Sequence, residues 1–225
     1  MTYTFLLLNL FLILIPFVLA LDKRVFNVGN LRLFIVPSLI VAIVFSLFAI
    51  FLTGLKAWSF NSAYIVGLNY GGIPIEEYIF MFTFSFAGLG IYNYLNAKYP
   101  KNNLQKYSLT VSQIMIGICF GLLFFAYAKW YTALTFAVLM LLLIGIEYIN
   151  TLRFMYKFYR AFLVTLIPFY ICYGIICNLP VIHYEPKENV KFDLAKIPLE
   201  NHFFMMAMLL LAVYLFEFFS SRKKS

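Results

Sequence analysis

Long apolar stretches separated by short polar connections make up the whole chain. Seven of them stand out, at 3–21, 33–53, 75–95, 108–127, 131–149, 161–179 and 199–220. Each approaches the roughly 20 residues that a helix needs to cross a bilayer. None alternates apolar and polar positions as a membrane β-strand does. The pattern predicts an all-α membrane protein of seven transmembrane helices. Only residues 128–130 separate the fourth and fifth stretches, which predicts a tight hairpin between them.

Composition narrows the class. Of 225 residues, 64% are hydrophobic and 12% charged, whereas a soluble domain is about half apolar and a quarter charged. So few charges cannot cover a soluble surface, and so apolar a chain is not disordered. Seventeen basic residues against nine acidic ones give a net charge of +8. In a soluble protein that excess would suggest nucleic acid; here it reports topology, and no nucleic-acid partner is expected. Lys23, Arg24, Arg32, Lys98, Lys101, Lys106, Arg153, Lys157, Arg160, Arg222, Lys223 and Lys224 fall on one side of the membrane. Lys56, Lys129, Lys187, Lys191 and Lys196 fall on the other. The positive-inside rule then predicts an outer N-terminus and a cytoplasmic C-terminus, in the inner membrane if the cell is bacterial. The first stretch has no basic residue before it and Lys23 and Arg24 after it, the reverse of a signal peptide, so it is expected to stay as a span. Cys119, Cys172 and Cys177 lie inside spans without metal-ligand spacing, and His183 and His202 add no ligand set, so no metal site is expected.

Two segments repeat. Ile73-Pro74-Ile75-Glu76-Glu77-Tyr78-Ile79-Phe80 and Ile197-Pro198-Leu199-Glu200-Asn201-His202-Phe203-Phe204 lie 124 residues apart, and each opens a span. The parse is two three-helix units, 1–95 and 130–225, joined by a linker helix within 96–129. An odd linker between odd units keeps both in one orientation, a parallel repeat about an axis along the membrane normal. Proline suits a helix start, and a carboxylate there is favoured by the helix dipole. Ionisable groups beside a membrane core are nonetheless costly and tend to be functional. Glu76, Glu77 and Glu200 are therefore the candidate catalytic residues, with the shared position, Glu76 and Glu200, preferred. Consecutive helix residues diverge by about 100°, so Glu76 and Glu77 cannot aim at one point. Glu147 and Glu217, near Arg153 and Arg222, read as interfacial ion pairs.

The stretch Ala57-Trp58-Ser59-Phe60-Asn61-Ser62-Ala63-Tyr64-Ile65-Val66-Gly67, followed by Ile73-Pro74-Ile75-Glu76-Glu77-Tyr78, resembles the lycopene cyclase domain family. Leu179-Pro180-Val181-Ile182-His183-Tyr184, Ile197-Pro198-Leu199-Glu200 and Phe216-Glu217 resemble its second domain, as though the two subunits of a heterodimeric cyclase were fused in tandem. Two positions depart from that pattern: Asn201 stands where a second acid is frequent, and Asn93 where a partner to Glu217 is expected. The resemblance implies redox-neutral cyclisation of linear ψ-end groups to β-ionone rings, with no cofactor. A carboxylic acid protonates the terminal double bond, the next double bond closes the ring, and a base removes a proton. Aromatic faces stabilise the intervening cation. The substrate-binding candidates are Trp58, Asn61, Tyr64, Tyr78, Phe80, Asn201, Phe203 and Phe204. The expected partners are lycopene or a related linear carotenoid and the lipid bilayer; self-association and contact with other carotenoid enzymes are left open.

Other classes fare worse. The seventh stretch lacks the central lysine of a retinal protein, and Met81 stands where a Glu-Glu-x-x-x-Arg protease needs arginine. Gly88-Leu89-Gly90 lies inside a span and makes no dinucleotide loop. A transporter or binding protein for a lipophilic molecule is the surviving alternative.

Overall fold

The computed structural model describes residues 3–22, 31–101, 105–150 and 152–224; Lys23 and Arg24 of the orientation count lie outside them. Within these residues the chain forms seven helices: α1 (Thr4–Ala20), α2 (Leu31–Gly54), α3 (Ile75–Lys98), α4 (Gln105–Ala126), α5 (Trp130–Ile144), α6 (Met155–Asn178) and α7 (Leu199–Lys224). Six are long and apolar enough to cross a membrane, counting α5 with the π-helical turn Gly145–Ile149 that extends it. At 17 residues, α1 falls short of that group, but it meets the lower limit of about 17 for a span.

α3 and α7 form the centre. α1 and α2 pack on α3, α5 packs on α7, and α2 and α6 each touch both central helices. Small residues permit this closeness. A Cβ on Gly88 would stand 2.4 Å from Leu209 Cδ1, and one on Gly90 would stand 3.0 Å from Pro16. The linker helix α4 lies outside, against α5 and α6, and most of it faces away from the protein. The predicted hairpin between α4 and α5 is present. Its tip is tied to the second long loop, where Lys129 Nζ donates to Asn189 O (2.6 Å) and the Trp130 N–H to Glu188 Oε2 (2.9 Å).

The step of 124 governs more than the motif. Each repeat has a short strand after its second helix, β1 (Trp58–Phe60) or β4 (Ile182–Tyr184), and then a hairpin, β2 (Asn69–Tyr70) and β3 (Ile73–Pro74), or β5 (Asp193–Leu194) and β6 (Ile197–Pro198). Both hairpins have two-residue turns with positive φ, the geometry that matches strand twist. Gly71 (56°) and Gly72 (86°) supply it in the first; Ala195 (54°) and Lys196 (66°) adopt it in the second. β1 and β4 pair antiparallel across the repeats, Trp58 with Tyr184, Ser59 with His183 and Phe60 with Ile182. The Asn61 N–H donates to Val181 O and the Glu185 N–H to Ala57 O, both at 2.9 Å, extending the ribbon symmetrically. Pro37 and Pro168, which sit in matching helices, are not equivalent positions: Ala161 stands 124 residues after Pro37.

Candidate functional site

The acids lie beneath the β1–β4 ribbon, where α3 and α7 begin. Glu76 and Glu200 are fully buried and Glu77 is 3% exposed. The first two do the same structural work. Glu76 Oε1 accepts the Val66 N–H at 2.5 Å, and Glu200 Oε1 accepts the Val190 N–H at 2.7 Å. The Ile75 N–H likewise donates to Leu68 O, and the Leu199 N–H to Phe192 O, at 2.9 Å. Each loop is thus folded back onto the helix start that its glutamate occupies. Thr132 Oγ1 of α5 adds a 2.6 Å hydrogen bond to Glu200 Oε1. In the first repeat the neighbouring helix contributes Asn9 instead, whose Nδ2 donates to Glu76 O (3.0 Å) and whose Oδ1 accepts from Thr83 Oγ1 (2.8 Å).

Oε2 of Glu76, Glu77 and Glu200 is buried without a hydrogen-bond partner. Leaving a buried polar group unmatched costs about 1–3 kcal/mol, more if it is charged. Three such atoms in one region are an expense that packing alone does not account for.

Closely packed aromatic rings lie beside these carboxyls, and rings and carboxyls together make up the region called the chamber. Trp58 meets Tyr131 at 4.9 Å between ring centroids, Tyr184 at 6.1 Å and Phe204 at 6.3 Å, all edge to face. Tyr131 and Tyr184 stack at 6.0 Å, and Asn201 bridges their hydroxyls. Its Oδ1 accepts from Tyr131 and its Nδ2 donates to Tyr184 at 2.7 Å. Phe80 meets Tyr173 edge to face at 5.7 Å. Glu77 lies within electrostatic reach of Tyr131, Tyr173 and Tyr184, and Glu200 within reach of Tyr131 and Tyr184. Burial holds the Tyr184 hydroxyl well above the usual phenol range, so that hydroxyl stays neutral. On its far side Tyr184 borders a polar cavity of about 390 Å³ with His183, Asn189, Lys191 and Lys196.

The predicted substrate-binding residues divide. Trp58, Phe80, Asn201 and Phe204 belong to the chamber or its edge. The side chain of Asn61 caps its own 3-10 turn, accepting the Ala63 N–H at 3.0 Å, and half-buried Tyr64 ends that turn. Tyr78 donates its hydroxyl to Tyr70 O (2.9 Å), and Phe203 packs on Phe136 (4.8 Å). The structure adds Tyr131, Thr132, Tyr173 and Tyr184 to this region. Each lies near the motif end of its element, and Tyr184 also closes the 179–184 stretch.

Two expected ion pairs are replaced by other contacts. Glu147 Oε2 accepts from Ser112 Oγ (2.9 Å), and Arg153 donates to the backbone oxygen of Glu147 (3.2 Å). Glu217 Oε1 accepts from Tyr92 Oη at 2.5 Å, joining α7 to α3, while Arg222 lies over the Phe218 ring at 4.4 Å. Both acids are turned into the helix bundle, where hydroxyls rather than guanidinium groups are within reach.

The family model described as lycopene cyclase matches residues 1–95 and 128–219, both repeats with most of the linker helix left out. No curated protein and no solved structure matches the chain.

Proposed function

We propose that this chain, which belongs to the lycopene cyclase family, is a lycopene β-cyclase that closes ψ-end groups by acid–base catalysis in the chamber beneath the ribbon. The observation that carries this reading is the buried Glu77, with an unpartnered Oε2 and an aromatic wall beside it. A proton donor must present an O–H that no protein group claims, and Glu77 Oε2 meets that condition. Protonation of the terminal double bond leaves a tertiary cation. The neighbouring double bond attacks it, forming the ring bond and moving the positive charge onto the ring. Loss of a ring proton to a carboxylate restores neutrality, so the product is an isomer of the substrate.

Glu200 is the base in this scheme. Its Oε1 is held by Val190 and Thr132 while Oε2 stays free. Glu76 holds the first loop in the matching way and keeps that half of the chamber closed. The faces of Trp58, Tyr131, Tyr184 and Phe204 stabilise the cation without supplying a strong nucleophile, an effect worth about 2 kcal/mol where water is excluded. The long hydrocarbon substrate dissolves in the bilayer and brings one end group to the chamber. The basic residues at the opposite end of the bundle support an outer chamber and a cytoplasmic C-terminus.

Expression in cells that accumulate lycopene tests the reading. Pigments bearing β-ionone rings are expected. Pigment that stays acyclic, with the protein demonstrated in the membrane, would overturn it.

A further inference from the structure

A second cavity lies well away from the chamber, toward the basic end of the bundle. It is a crevice of about 380 Å³ between α4 and α6, within the size range of small-molecule sites. Tyr156 at its mouth and Tyr173 in the chamber are ~25 Å apart along α6 at the usual helical rise. Val111, Met115, Phe162, Leu163 and Met206 line the crevice. From Tyr107 to Met115 it follows ~12 Å of α4.

The mouth is cationic. Lys106 Nζ stands over the Tyr107 ring at 4.8 Å, and Lys157 Nζ over the Tyr156 ring at 5.8 Å, and both rings line the crevice. Arg160, also in the lining, uses its terminal nitrogens on Tyr99 O and Asn96 Oδ1, both at 2.8 Å. Its Nε is buried and unpartnered. Two acids stand behind this wall, Glu147 accepting from Ser112 and Glu217 from Tyr92, against the three cations. An apolar trough that ends at three cations, one with an unsatisfied buried N–H, fits an apolar chain carrying an anionic head.

We propose that the α4–α6 crevice is a binding site for an anionic phospholipid of the surrounding bilayer. One acyl chain lies along Val111, Met115 and Leu163, and the phosphate sits among Lys106, Lys157 and Arg160. Basic pockets between membrane helices bind anionic headgroups in this way. The exposed apolar flank of α4, which includes Leu109, Ile114 and Ile118, lies in that lipid. A carotene has no group to satisfy Arg160 Nε, and a zwitterionic lipid brings a cation toward three others. The site also gives the linker helix a role, since a bound lipid is shared between α4 and the second repeat.

Native mass spectrometry of the full chain, with phosphatidylglycerol or phosphatidylcholine of the same acyl chains, tests this. Retention of phosphatidylglycerol at least tenfold above phosphatidylcholine is expected. Lys106→Gln with Lys157→Gln should weaken phosphatidylglycerol binding ~30-fold, from about 1 kcal/mol per lysine at tenfold per 1.4 kcal/mol. Val111→Trp, which fills the trough, should abolish retention of either lipid. Equal retention of the two lipids by the wild type overturns the proposal, as does unchanged phosphatidylglycerol retention in either variant or displacement of the lipid by added lycopene.

Discussion

Ser59 and His183 face each other at the middle of the β1–β4 ribbon, and each is the other's counterpart in the repeat, 124 residues away. A residue paired with its own counterpart marks a pseudo-twofold axis. The axis passes through the ribbon and between α3 and α7, so the two halves meet over the carboxyls. At the other end of that interface Tyr92 lies 6.1 Å from Phe216, again its own counterpart. Symmetry builds the frame, and the proposed proton donor and three tyrosines of the wall depart from it. Glu77 is matched by Asn201, and Tyr131, Tyr173 and Tyr184 by Leu7, Ala49 and Phe60. The first half supplies Glu77 and Trp58, and the second supplies Glu200 and the three tyrosines.

Because Glu200 Oε1 gathers a backbone N–H and a threonine hydroxyl, Glu200→Ala strands two buried donors. It should destabilise the protein by about 2–4 kcal/mol, read as a fall in melting temperature in detergent. Glu200→Gln, whose amide oxygen can still accept both bonds, should keep most of the stability and lose the activity. Equal melting temperatures for wild type and Glu200→Ala would remove the loop-anchor role.

The two hairpin turns predict opposite responses to similar exchanges. Ala195 sits at φ 54° without being glycine, a conformation that costs an L-residue roughly 1–2 kcal/mol. Ala195→Gly should therefore raise stability by about 1 kcal/mol. Gly71→Ala should lower it by at least as much, since its new Cβ would also lie 3.1 Å from Ile50 Cδ1. Thermal unfolding of the two variants decides this.

Trp58 presents its ring to Tyr131, Tyr184 and Phe204 while Nε1 donates to Thr53 Oγ1 at 2.7 Å. If its face stabilises the ring cation, Trp58→Leu should lower the cyclisation rate about 30-fold, corresponding to about 2 kcal/mol. Trp58→Phe should retain more of the rate, because an aromatic face remains. Initial rates in lycopene-loaded membranes with matched protein levels are the measurement; indistinguishable Leu and Phe variants would argue against a cation role.

Much of this was legible in the sequence, for identifiable reasons. Continuous apolar runs declare helices in a membrane, and Pro74 and Pro198 marked the starts of α3 and α7 because a helix begins where proline leaves no N–H to pair. The preference for Glu76 and Glu200 over Glu77 rested on their repetition. Repetition also suits a loop anchor, and both carboxyls serve as one. The tyrosines of the wall come from α5, α6 and the ribbon, and no spacing rule joins them. They converge only through the packing of three elements about the axis. Sequence proximity pairs Glu147 and Glu217 with arginines, but each side chain turns inward to a hydroxyl on another helix, Ser112 or Tyr92.

The most direct test of the central claim is pigment analysis in lycopene-accumulating cells that express the wild type or Glu77→Gln, with membrane levels of each quantified. Gln keeps the shape of the side chain and removes the donor O–H, and Glu77 Oε2 has no hydrogen bond to lose. β-Ionone pigments are expected with the wild type and only acyclic lycopene with Glu77→Gln at equal protein levels. Cyclic pigment at wild-type yield from Glu77→Gln would contradict it.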